Sequence, residues 1–88
     1  MKTITSFDLD FSDLPATSER RSFTISGDKG AEFKLEIKDN TTGYYYNFVT
    51  NAFQVSPSSL QEELTGMYTG VVTFPAVTGG DDQYDIFL

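Results

Sequence analysis

Ala31-Glu32-Phe33-Lys34-Leu35-Glu36-Ile37-Lys38 is the stretch that decides the fold class. Apolar side chains at 31, 33, 35 and 37 alternate with Glu, Lys, Glu and Lys. In an extended chain a period of two sends successive side chains to opposite faces, whereas a helix would throw these four apolar residues to opposite sides of its axis. The segment is expected to be a half-buried antiparallel strand with its apolar row inward and its charges in water. The outward Glu–Lys row is read as a solvated face rather than a binding surface.

The same rhythm continues on both sides. Phe23 and Ile25 alternate with Ser22, Thr24 and Ser26. Gly27-Asp28-Lys29-Gly30 then supplies a turn whose glycines accept positive φ, so a hairpin or a tight corner is expected. A phosphate cradle would need a helix behind that turn, and a strand follows instead. Asp39-Asn40-Thr41-Thr42-Gly43 is a second turn, and aromatic and β-branched residues make Tyr44–Thr50 a strand. Tyr46 and Phe48 are assigned inward, and Tyr45, Asn47 and Val49 outward. Phe53 and Val55 are out of phase with Phe48, and a bulge or bend near Asn51 is expected to return them to the core.

Leu60 and Leu64 stand four residues apart, with Ser59 and Glu62 in capping-box spacing, so one short helical turn or irregular crossover is expected there. Met67–Phe74 reads as a strand with Tyr68, Gly70, Val72 and Phe74 on one face, stopped by Pro75. Thr78-Gly79-Gly80-Asp81-Asp82 is a turn. Tyr84, Ile86 and Leu88 alternate with Asp85 and Phe87 in a last strand. At the front, Phe7, Leu9 and Phe11 alternate with Asp8 and Asp10 in an edge strand or an arm.

Six or seven short strands at near-regular spacing mark an all-β, immunoglobulin-like antiparallel β-sandwich with at most one short helical turn. Residues 1–20 are expected to form an N-terminal arm or edge strand and residues 21–88 the sandwich. Leu60, Leu64, Gly66 and Tyr68 resemble a tyrosine corner, in which the Tyr hydroxyl bonds back to the crossover. Gly70 stands where an antibody domain carries its second Cys, so the disulfide version is excluded. The expected core is Phe23, Ile25, Phe33, Leu35, Ile37, Phe48, Phe53, Leu64, Tyr68, Val72, Phe74, Tyr84 and Ile86.

The composition narrows function. The chain has 88 residues, a net charge of −7, no His and no Cys. Nucleophilic machinery built on His is thereby excluded, and zinc, haem and iron–sulfur sites lack their usual ligands. Six Lys and Arg against thirteen Asp and Glu argue against nucleic acid as a partner. No run approaches the length of a membrane span. Met1–Asp10 lacks the basic start and apolar run of a signal peptide.

Three strings carry a family resemblance: Arg21-Ser22-Phe23-Thr24-Ile25-Ser26-Gly27-Asp28-Lys29-Gly30-Ala31-Glu32-Phe33, then Tyr45-Tyr46-Asn47-Phe48-Val49-Thr50-Asn51-Ala52-Phe53, and Tyr68 with Val72-Thr73-Phe74-Pro75. They resemble a domain type of large virion structural proteins in marine tailed phages, particularly those of cyanobacteria and related ocean bacteria. The resemblance covers about Arg21 to Leu88 and implies a tail, baseplate or fibre role without catalytic residues. In that family the module sits within longer proteins, so the chain is expected to be a piece of one or an unusually short member. The implied setting is the virion, and the host cytoplasm during assembly.

Four functions follow for weighing. A structural module would contact other virion proteins or self-associate, using outward Tyr45, Val49 and Phe87. A glycan-binding module would stack sugars on Tyr44 and Tyr45 with Asn40 and Asn47 nearby, although tyrosines in such runs mostly serve burial. A calcium site would draw on Asp8, Asp10 and Asp13, or on Asp81, Asp82 and Asp85; neither set has EF-hand spacing. A glycosidase would need two carboxylates fixed across a cleft, which a chain this small has little concave surface to build. The structural module is the preferred reading, with the glycan module as its alternative, no catalysis and no cofactor.

Overall fold

A computed structural model describes residues 2–9, 17–76 and 83–88. Among the described residues eight strands run in chain order: β1 (Ile4–Asp8), β2 (Glu19–Gly27), β3 (Glu32–Asp39), β4 (Tyr45–Asn47), β5 (Ala52–Gln54), β6 (Leu60–Glu63), β7 (Met67–Phe74) and β8 (Tyr84–Phe87). They form two antiparallel sheets packed face to face, the expected all-β sandwich. One sheet has the order β1–β2–β7, and the other β5–β4–β3–β6 with β8 also paired to β3.

The decisive stretch lies in the middle of the second sheet. Glu32–Leu35 pairs with β6, Glu36–Asp39 pairs with β8, and Lys38 also faces Tyr45 of β4. A strand paired along its whole length and packed on one face needs strict alternation, and Phe33, Leu35 and Ile37 are buried while Glu32 and Lys34 are exposed. The Gly27–Gly30 turn is a corner, since β2 and β3 belong to different sheets. Gly30 has φ 90°, and its N–H donates to the Leu64 carbonyl at 2.7 Å, while Leu64 N–H donates to the Ala31 carbonyl at 2.8 Å. The corner is thus tied to the connection that leads from β6 into β7.

The core joins Phe23 and Ile25 of β2 and Val72 and Phe74 of β7 to Ala31, Phe33, Leu35, Ile37, Tyr46, Leu64 and Tyr84. Phe48, Phe53, Tyr68 and Ile86 pack against it while partly exposed. Phe23 pairs across β2–β7 with Gly70, and its ring covers the glycine: a Cβ built there would lie 2.5 Å from Phe23 Cζ. Phe7 of β1 packs on Phe23 with ring centroids 6.2 Å apart, so β1 is an edge strand of the first sheet.

Three expectations change. Among the described residues there are eight strands where six or seven were expected, because the segment expected as one short helical turn or irregular crossover holds β6 over Leu60–Glu63. The spacing of Leu60 and Leu64 is helical, but pairing along β3 satisfies the backbone of Leu60–Glu63, and tertiary pairing outweighs a single i,i+4 pair. Asn51, at φ 58°, turns β4 into β5 and brings Phe53 onto the core as expected, yet Val55 is 70% exposed because β5 ends at Gln54. Tyr68 makes no tyrosine corner among the described residues; its ring stacks on Phe23 and meets Phe33 edge-on. The expected turn at residues 78–82 and the alternation through Asp10 and Phe11 lie outside the described residues.

Candidate functional site

The residues singled out for sugar binding come from the β3–β4 turn and β4 itself. Asp39 closes that turn: its carboxylate accepts from Thr41 N–H at 2.9 Å and Thr42 N–H at 3.4 Å, and its own N–H donates to the Tyr44 carbonyl at 2.8 Å. This is the Asx chemistry that the Asp-Asn-Thr-Thr-Gly string announces. Tyr44 leaves the turn exposed, its N–H donating to Thr42 Oγ1. Tyr45 points outward from β4, and the Lys38 ammonium stands 5.7 Å from its ring centroid. The Asn47 side chain is committed to the next turn, accepting from Val49 N–H at 2.8 Å and Thr50 N–H at 3.1 Å and donating to Gln54 Oε1 at 2.8 Å. Of Tyr44, Tyr45 and Asn47, Tyr44 therefore presents the ring least engaged by the protein.

The acidic candidates are not brought together among the described residues. Asp85 is exposed on β8 opposite Lys38, and Asp8 is exposed on β1. Asp10, Asp13, Asp81 and Asp82 lie outside the described residues. Glu32 and Glu63 face each other across β3–β6 with Glu62 beside them, a like-charge pair that weakens that ladder.

The functional group that the sequence pattern did not single out is the Tyr46 hydroxyl. Tyr46 is fully buried on β4, edge-on to Phe48 and Phe53. Its hydroxyl donates to Asn51 Oδ1 at 3.3 Å and accepts from Thr73 N–H of β7 at 3.2 Å. One side chain of the second sheet thus satisfies a backbone donor on β7, an edge strand of the first. Period-two reading places Tyr46 inward but says nothing about what its hydroxyl reaches.

Tyr84 is the contrasting case. It is buried against Phe53 and Phe74, and its hydroxyl has no hydrogen-bond partner among the described residues. Burial, and then the negative charge of Asp39, push its phenol up from 10.0 to about 12. Asp39 is itself buried, with Gln83 Nε2 donating to both carboxylate oxygens at 3.3 and 3.2 Å. Two results are expected by urea denaturation. Tyr46→Phe costs about 1–3 kcal/mol, because the Thr73 donor loses its acceptor, while Tyr84→Phe is neutral or slightly stabilising at pH 7 because it removes an unpaired buried hydroxyl. Folding holds Tyr84 neutral, so the stability this group contributes is complete below pH 10 and is lost as pH rises towards 12. Tyr84→Phe is expected to flatten that alkaline fall, and absorbance at 295 nm should show a late-titrating phenol that the variant lacks.

The remaining surface features are apolar side chains on strand faces and edges. Met67 is 61% and Val71 43% exposed on β7, and Phe87 and Leu88 are exposed at the end of β8. A cleft drawing on both sheets is lined by Phe23, Phe48, Leu60, Tyr68, Gly70 and Val71. A second, open depression is polar, lined by Asp8, Glu19, Arg20, Arg21, Ser22 and Thr24. No protein family, curated protein or solved structure matches the chain.

Proposed function

We propose that the chain is a non-catalytic structural or assembly module that works by protein–protein contact in the virion of a tailed phage, in its tail, baseplate or fibre. The observation that supports the contact role is the outward display of Met67 and Val71 along β7, beside a cleft lined by Phe48, Leu60 and Tyr68. Met67 and Val71 stand on either side of Thr69 along one edge strand, and such a strand offers a partner open backbone groups together with apolar contact. The virion setting is supported by the resemblance carried by residues 21–33, 45–53 and 68–75. The partners are other virion proteins or further copies of the chain.

Mass spectrometry of density-purified particles of the encoding phage tests this reading. Peptides of this chain are expected at a fixed stoichiometry to the tail proteins. Their recovery only from the soluble fraction of the infected host would contradict it.

A further inference from the structure

We propose that two copies of this chain join by antiparallel pairing of β7 with β7, about a two-fold axis at Thr69. This deepens the contact reading above and rests on it.

In an antiparallel strand, alternate residues aim their N–H and C=O groups at one neighbour and the intervening residues at the other. Gly27 N–H donates to the Gly66 carbonyl, so the even-numbered residues from Gly66 to Phe74 face β2. Met67, Thr69, Val71 and Thr73 aim their backbone groups away from the sheet, where no strand lies among the described residues. Thr73 N–H is taken by the Tyr46 hydroxyl. The open run is therefore Met67–Val71, and Thr69 is its centre.

The other edges carry the features that discourage pairing, namely charge, shortness and irregularity. β1 is irregular between Ile4 and Ser6 and ends in Asp8, β5 has three residues, β6 carries Glu62 and Glu63, and β8 has four residues including Asp85. β7 has eight residues, Met67-Tyr68-Thr69-Gly70-Val71-Val72-Thr73-Phe74, with no charge, no Pro and unbroken register against β2. On a chain of net charge −7 it is, among the described residues, the one long edge at which a second copy meets no like charge on the strand itself.

Register favours a second copy as the occupant, and the uncharged strand adds no local repulsion to that pairing. With the axis at Thr69, Met67 of each copy faces Val71 of the other and Thr69 faces Thr69. These are the residues whose backbone groups are open. The exposed Met67 and Val71 side chains then cover one another on the outer face, and the two Thr side chains meet as a cross-strand pair. The first sheets of the two copies become one continuous six-stranded sheet. Pairing over five residues buries an area at the small end of specific interfaces, so a weak, concentration-dependent dimer is expected. High salt should tighten it by screening the repulsion between the two acidic bodies.

Sedimentation equilibrium of the full chain, from micromolar to millimolar concentration and at low and high salt, tests the proposal. Wild type is expected to show a monomer–dimer equilibrium that tightens with salt. Thr69→Lys brings two ammonium groups together at the axis, and the dimer should weaken at least about tenfold. Ser6→Lys makes the same charge change on the far edge of the same sheet and should leave association unchanged. The chain lacks Cys, so Thr69→Cys gives an independent reading: the axis sets its two thiols within disulfide reach, and mild oxidation should cross-link it far faster than Ser6→Cys. A chain that stays monomeric throughout would overturn self-pairing, while particle composition still decides the contact reading. A dimer indifferent to Thr69→Lys would overturn the assignment to β7 and uphold contact elsewhere.

Discussion

Leu35→Asp is expected to leave the chain unfolded at neutral pH. Leu35 is fully buried at the middle of β3, opposite Leu60 of β6. Even Leu35→Ala removes several methylene and methyl groups from a site that relaxes poorly, at a cost of about 2–5 kcal/mol. A carboxylate there adds its own desolvation with no cation placed to offset it. Small domains have only about 5–15 kcal/mol of total stability, so the polar variant exceeds what this fold can absorb. The neighbouring Lys34→Ala changes a solvated side chain one residue along and should stay within about 0.5 kcal/mol of wild type. Urea denaturation followed by circular dichroism, with amide dispersion in NMR spectra, checks both. The pair isolates the inward–outward alternation, because adjacent positions on one strand give opposite outcomes.

Gly70→Val carries the second large effect, and its sign opposes intrinsic preference. In an open strand Val is favoured over Gly by up to about 1 kcal/mol. At position 70 the Phe23 ring occupies the space a side chain would need, with Cζ 2.5 Å and Cε1 2.7 Å from the added Cβ. Phe23 cannot swing clear. It is 1% exposed and held among Phe7, Phe48 and Tyr68. Overpacking of this kind costs about 3 kcal/mol, so thermal and urea midpoints should both fall. The double variant Phe23→Ala, Gly70→Val should be more stable than the sum of the two single effects, since removing the ring opens the space that Val fills. Simple addition of the two effects would show that ring and glycine do not share that space.

These two positions also mark what the sequence discloses. Ala31–Lys38 announced its own strand because a central strand with one buried face has to alternate, and that requirement is written in single residues. Phe23 and Ile25 on central β2 were legible for the same reason, and so were Val72 and Phe74, because edge strand β7 also buries one face. Leu60–Glu63 was not, because its strand is short and its spacing suits a helix equally well; only β3 lying alongside decides it. Val55 was misplaced because the turn at Asn51 redirects the chain for just three residues before β5 ends. The tyrosine clamp was expected at Tyr68 and found at Tyr46. Both are inward tyrosines on strands, and which hydroxyl meets a backbone donor depends on how the sheets stack, which no periodicity records. Among the candidate binding residues, Asn47 could be seen as polar and outward, but its commitment to the Val49 and Thr50 amides depends on a turn geometry that composition alone does not fix.

Amide hydrogen exchange along Met67–Phe74, at a concentration where the chain is monomeric, tests most directly the claim that this is a two-sheet sandwich whose β7 edge is open from Met67 to Val71 and clamped by Tyr46 at Thr73. Tyr68, Gly70, Val72 and Phe74 donate towards β2 and should be protected. Met67, Thr69 and Val71 should exchange fast, while Thr73, although it faces the same open side, should be slow in wild type and fast in Tyr46→Phe. Uniform protection from 67 to 74, or a Thr73 amide indifferent to the loss of the Tyr46 hydroxyl, would contradict the account.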